Sequence, residues 1–301
     1  MTRLFTFGCS FTKYNWPTWA DFINIGWDQY YNWGHPGIGN RAIAERIAEA
    51  HALYKFTKDD LVIVQWSSYV RHDYARPDIP SADCTMWKTR GNIFSSWNSK
   101  VFDKKWINTF WNEPAYYIHT LNNVILVQEL LKGIGCYWFM TASTDLQDYR
   151  LKVGHLDENS DTDNSISLWD MDPTLTPYKE RIWEDNNEHW FPPILTEKWN
   201  SPDLNWQFDI DKQDLSALDY FKTSDTTYTE PHLTSLQYHN YLKNNGIYEL
   251  FNIDEKYINN NESIALYVED LKEEAGTDMQ CFFNLLTAND VIGVNNLLRG
   301  R

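Results

Sequence analysis

Three short segments of this sequence hold residue types that chemistry can use. The first is Phe7-Gly8-Cys9-Ser10-Phe11-Thr12. The apolar run 4–7 stops at Gly8, and a serine follows on the turn beyond it. A serine hydroxyl becomes a nucleophile when a base takes its proton. The carboxyl end of a strand is also where open α/β sheets bind their ligands. The second segment is Asn32-Trp33-Gly34-His35-Pro36-Gly37-Ile38-Gly39-Asn40. Its glycines let the backbone come close to a ligand, and unbonded N–H groups at a helix start can hold an oxyanion. The third is Glu230-Pro231-His232-Leu233-Thr234. A histidine at a helix start, two residues after a carboxylate, can act as general base while the acid orients its imidazole. Taken singly, each segment also fits an ordinary structural role: a turn, a loop capped by Asn40, and a helix opened by Pro231.

Such residues matter only if a scaffold brings them together. Residues 4–7 read as a buried strand, and Pro17 opens a short helix through Trp19, Phe22 and Ile23. Residues 29–33 form a second, aromatic strand candidate. Ile43, Ile47, Ala50 and Leu53 recur at helical spacing within 38–53. Asp60 precedes Leu61-Val62-Ile63-Val64, the clearest buried strand. The polar and aromatic stretch 67–112 is long enough to predict a functional loop or lid. Pro114, Tyr117, Leu121, Val124, Ile125 and Leu131 mark a long amphipathic helix, ended by Gly133 and Gly135, and 136–140 is another strand. This alternation predicts a three-layer α/β/α sandwich around a mostly parallel sheet.

Residues 150–225 are acidic and proline-bearing, which predicts few long elements. A last main-domain helix is expected over 233–250. Asn259-Asn260-Asn261 reads as a turn or linker, followed by helices over 263–274 and 279–286. The expected organisation is a main domain, 1–252, with long insertion loops, and a helical extension, 253–301. The extension would pack on the domain or mediate homo-oligomer assembly.

Composition narrows the function classes. A net charge of −16 sets up a field that repels nucleic acid and anionic membrane surfaces, and no Lys/Arg run interrupts it. No stretch approaches the ~20 apolar residues of a membrane span, and no signal peptide precedes Gly8, so a cytoplasmic location is expected. Cys9, Cys84, Cys136 and Cys281 include no CxxC pair and read as reduced thiols. The histidines lack metal-ligand spacing. Asp157, Glu158, Asp161 and Asp163 lack the central glycine and terminal Glu of a calcium loop, and Gly37-Ile38-Gly39 completes no dinucleotide fingerprint. Neither metal nor cofactor is expected. The 15 tryptophans are enough to line an apolar or sugar-binding cleft as well as a core. Asn40, Trp66 and Arg71 are candidates for substrate contact, Arg71 as a grip on an anionic group.

The order of the three segments resembles the SGNH hydrolase family, also called GDSL-like lipases and esterases. Phe7 to Thr12 is similar to the family's first block, with Cys9 where Asp is usual. Asn32 to Gly37 is similar to the second, and Glu230 with His232 to the last. The resemblance spans residues 7–232 and implies an SGNH/flavodoxin-like fold. It implies Ser10 as nucleophile, His232 as base and Glu230 as orienting acid. The N–H groups of Ser10 and Gly37 would form the oxyanion hole. The chain departs from the family after residues 61–64. Gln65-Trp66-Ser67-Ser68-Tyr69 stands where Gly-x-Asn-Asp is usual, so a serine hydroxyl, that of Ser68, would replace the Asn donor. The acid is Glu rather than Asp; if the acid must instead lie three residues before His232, that position is Thr229, and the triad would become a Ser–His dyad. The expected activity is hydrolysis of short acyl esters such as O-acetyl groups on carbohydrate. The alternative is a catalytically weak or inactive protein of the same fold, serving as a glycan-binding or virion-associated component.

Overall fold

Four segments of the chain become neighbours in one sheet: β1 (Arg3–Phe7), β2 (Gln29–Asn32), β3 (Asp60–Trp66) and β4 (Tyr137–Ala142). The computed structural model describes residues 2–69, 71–73, 104–147, 150–152, 165–167, 169, 172–195, 207–209, 227–229, 232–289 and 291. All strand pairs in the sheet are parallel, in the order β2-β1-β3-β4. β3 is buried along its whole length, and a strand covered on both faces needs an unbroken apolar run rather than alternation.

Helices make the crossovers. α1 (Trp19–Phe22) joins β1 to β2, and α2 (Asn40–Tyr54) joins β2 to β3. A short α3 (Lys104–Phe110) and then α4 (Glu113–Ile134) lead to β4. The chain steps from β1 to one edge, then returns past β1 to β3. Right-handed crossovers therefore put α1 on one face and α2 with α4 on the other. α2 packs on α4, while α6 (Ser235–Asn244) packs on α1. The result is the expected α/β/α arrangement. It also creates a topological switch point between the carboxyl ends of β1 and β3.

The opposite end of the sheet is clamped by charge. Asp60, fully buried at the start of β3, accepts from Arg3 Nε at 2.7 Å and Nη2 at 2.6 Å, and from the Thr57 N–H at 2.6 Å. Burial pushes this carboxyl upward. The Arg3 and Thr57 donors and the Arg3 charge outweigh it and hold the group below the usual carboxylate range.

Helix ends follow local chemistry. Asn112 caps α4 by accepting from the Ala115 N–H at 2.9 Å. Gly135, at φ +77°, ends α4 in the left-handed conformation, whereas Gly133 lies inside the helix. The helix expected over 233–250 is broken: α6 stops at Asn244, Gly246 turns at φ +66°, and α7 (Ile247–Leu250) follows. Asn259-Asn260-Asn261 is not a linker. It lies within α8 (Glu255–Ala275), which Asp254 caps through the Lys256 N–H at 2.8 Å. Asn261 is buried and donates to the Phe22 carbonyl at 2.9 Å, a tertiary bond that periodicity alone does not show.

α9 (Met279–Ala288) completes the expected extension. Ile264, Val268, Phe282 and Leu286 belong to the same buried cluster as the sheet, with Phe282 5.6 Å from the Trp16 ring. The segments on either side of residue 252 thus share one core.

α5 (Thr176–Ile182) precedes an extended segment that runs beside β4, where Phe191 and Ile194 donate to Met140 and Ala142. Two small antiparallel pairs complete the element list. β5 (Arg150–Lys152) pairs with β6 (Ser165–Ser167), and β7 (Gln207–Asp209) with β8 (Thr227–Thr229). Most of 67–112, together with Cys84 and the acidic residues 157–163, lies outside the described residues. Among the described residues no helix is long and apolar enough to cross a membrane.

Candidate active site

Beyond Phe7 the chain turns tightly, with the N–H groups of Thr12 and Lys13 both donating to the Cys9 carbonyl at 3.0 and 3.3 Å. Gln65, on β3, reaches beneath this turn. Its Oε1 accepts from the Cys9 N–H at 3.3 Å and the Thr12 hydroxyl at 3.2 Å, while its Nε2 donates to the Trp66 carbonyl. The approach is close enough to require glycine at position 8. A Cβ there would lie 2.1 Å from Thr12 Oγ1 and 2.7 Å from Gln65 Oε1. The Thr12 carbonyl in turn accepts from Thr18 Oγ1 at 2.7 Å and Asn32 Nδ2 at 3.0 Å, tying the turn to the β2 end. Ser10 sits at the top of this turn, only 5 % exposed.

The start of α6 is docked against the same region. Trp16 Nε1 donates to the Leu233 carbonyl at 2.8 Å, and Ser235 Oγ to the Pro17 carbonyl at 2.9 Å. Thr234 and Gln237 form a reciprocal capping box that fixes where the helix begins. These ties deliver His232 to Ser10, with Nε2 2.6 Å from Oγ. Two rings hold the imidazole plane: Tyr14 is stacked at 3.9 Å and 22°, and Phe11 lies at 5.0 Å and 40°. A neutral imidazole protonated on Nδ1 can accept the serine proton in this geometry. Glu230 lies outside the described residues, as do the side chains of β8, Thr229 among them.

The loop bearing Gly37 is held from below. Gly37 adopts φ +81°, a conformation that favours glycine. Arg71 Nη1 donates to the Ile38 carbonyl at 2.8 Å. Asp73 accepts the N–H groups of Gly39 at 2.6 Å and Ala42 at 3.0 Å. The N-cap of α2, Gly39, has no side chain, so a distant carboxylate caps the helix instead. A Cβ on Gly39 would lie 2.7 Å from Asp73 Oδ2. Burial pushes the Asp73 carboxyl up to about 6, against the pull of these two N–H groups and of Arg71.

That shift has a testable sign. Between pH 3.8 and about 6 the folded protein holds a proton on Asp73 that the unfolded chain has released. Stability therefore falls across this window as pH rises, by roughly 2–3 kcal/mol. In Asp73→Asn that component of the slope disappears, which urea titrations at several pH values will read. An unchanged slope would reject the assignment.

Each of the three residues expected to contact substrate has a partner within the protein. Asn40 is buried. Its Nδ2 donates to the Ser67 carbonyl at 2.9 Å and Thr120 Oγ1 at 3.1 Å, and its Oδ1 accepts from the Ser67 N–H at 2.7 Å. It latches α2 to the end of β3. Trp66 is 0 % exposed, with Nε1 3.3 Å from Met140 Sδ, because the central strand is still covered on both faces at its last residue. Arg71 is half-buried and braces the Ile38 carbonyl while lining a cavity of about 460 Å³ between α2 and α4.

Ser68 is half-buried just past β3. Its neighbour Ser67 carries a buried hydroxyl that finds no partner among the described residues. The register pairs Phe7 with Val64, so the turn bearing Ser10 and the end of β3 leave the same edge of the sheet. Sequence reasoning missed Gln65, Tyr14 and Asp73. A glutamine closing an apolar run was a visible signal for the first, whereas nothing local marks the other two. No family model matches the chain, and no curated protein matches it.

Proposed function

We propose that this protein is a serine ester hydrolase that removes short acyl groups, such as O-acetyl groups, from carbohydrate. The observation that carries this reading is the 2.6 Å approach of His232 Nε2 to Ser10 Oγ across 222 residues of sequence. Position at the switch point of a parallel sheet supports it, as does the SGNH-like order of the three motifs. His232 takes the proton of Ser10 as Oγ attacks the ester carbonyl, and then returns it to the departing alcohol. Water, deprotonated by His232, releases the acid from the acyl-enzyme. The N–H groups of Ser10 and Gly37 are the proposed oxyanion donors, with the Ser68 hydroxyl in place of the family's asparagine. Glu230 is the proposed partner of the imidazole Nδ1–H. The chemistry calls on no cofactor.

A fluorophosphonate probe tests the core of this reading. The expected result is a single adduct on the peptide containing Ser10, absent in Ser10→Ala and strongly slowed in His232→Ala, read by mass spectrometry. An adduct on another residue, or none, would overturn it. The absence of any adduct would favour the second reading, a catalytically silent glycan-binding protein, for which the Ser67-Ser68 pair speaks.

A further inference from the structure

A hollow of about 550 Å³ opens beyond the carboxyl end of β4. Neither Ser10 nor His232 lines it, yet it opens at the same carboxyl edge of the sheet as the turn that carries Ser10. Phe7 pairs with Val64 and Val64 with Met140, so the turn that carries Ser10 and the hollow both lie past the carboxyl edge of the same sheet. Only β3 separates β1 from β4. Two strand spacings, about 10 Å, therefore lie between the nucleophile's strand and the strand that enters the hollow. That span suits a saccharide whose acylated ring is at Ser10 and whose next rings extend over β4.

The lining has sugar-binding chemistry. Trp190 and Phe191 are half-buried, and Trp183 packs 5.7 Å from Trp190. The rings are fixed: Trp190 Nε1 donates to the Ile182 carbonyl at 2.9 Å, and Phe191 stacks on Phe139 at 4.9 Å. Rigid aromatic faces bind the C–H face of a sugar with little ordering cost. Around them Asp145, Glu184 and Asn187 are exposed and supply acceptors and donors for hydroxyl groups. Among the described residues the charged lining is two carboxylates against one cation, Lys179, on a chain of net charge −16. An acidic sugar would be repelled there.

We infer that this hollow is a subsite for uncharged sugar rings of the proposed carbohydrate ester, selecting neutral over acidic glycans. The inference rests on the hydrolase reading for its link to Ser10, and its test is arranged to separate the two. The full-length Ser10→Ala protein is titrated calorimetrically with xylotetraose, cellotetraose, chitotetraose and tetragalacturonate. At least one neutral tetrasaccharide binds and tetragalacturonate does not. Combining Glu184→Ala with Asn187→Ala, both at exposed positions, weakens that binding by about tenfold or more. Trp190→Ala abolishes it. The inference is overturned if no neutral saccharide binds, if tetragalacturonate binds better, or if the Glu184/Asn187 variant binds unchanged. Fluorophosphonate labelling of Ser10 in the Glu184→Ala/Asn187→Ala protein proceeds at the parent rate, because that small probe does not reach the hollow. Labelling without sugar binding removes the subsite alone. Sugar binding without labelling keeps the subsite and removes the hydrolase.

Discussion

Ser10→Ala lowers turnover of p-nitrophenyl acetate by roughly 10⁴–10⁶-fold, and His232→Ala does nearly the same. On the proposed mechanism the hydroxyl and imidazole, 2.6 Å apart, act as one proton-transfer unit, so losing either leaves only binding and oxyanion stabilisation. The double variant is accordingly little slower than either single one. Initial rates of purified parent, single and double variants check this. Equal rates in parent and Ser10→Ala would remove Ser10 from the mechanism. Multiplicative losses in the double variant would mean that the two groups act separately.

Asp60→Ala costs about 3–5 kcal/mol of folding stability, measured from urea midpoints. The substitution leaves Arg3 with the Tyr54 and Lys55 carbonyls at 3.1 and 3.3 Å and no counter-charge in a half-enclosed site. It also removes the acceptor of the Thr57 N–H. The pH dependence has a definite sign. The folded-state Asp60 carboxyl is held below its ordinary 3.8, so its contribution is complete above that pH and is lost as pH falls through the folded value. The gap between parent and variant therefore narrows in acid. Replacing both partners by apolar residues, Arg3→Met with Asp60→Leu, restores much of the loss, because no stranded charge remains. A loss below about 1 kcal/mol in Asp60→Ala would show that the clamp contributes no more than a surface pair.

The sheet was legible because each strand's burial is written in its own residues. Leu61-Val62-Ile63-Val64 can only be central, and Gly8 and Gly135 mark where a strand and a helix stop. The Ser10–His232 pair was legible from motif order, since a strand end and a helix start are positions that local sequence does encode. What local sequence does not show depends on partners far along the chain. Asn261 looks like a linker residue until the Phe22 carbonyl is beside it. Asn40 looks available for a ligand until Ser67 takes both ends of its amide. Trp66, two residues past the evident run 61–64, looks available for substrate contact, yet it is fully buried because its cover comes from elsewhere in the fold. Asp73 caps a helix that begins more than thirty residues earlier, and no window of sequence contains both.

The packing of residues 232–286 against the turn and short helix after β1 also bears on how the molecule is made. A nascent chain leaves the ribosome amino end first, so Ser10 emerges long before Leu233, Asn261 and Phe282 can dock behind and beside it. A shortened polypeptide would carry Ser10 on a turn without its buttress. On the proposed function, activity would thus arrive late in synthesis, once the segments after residue 232 have docked.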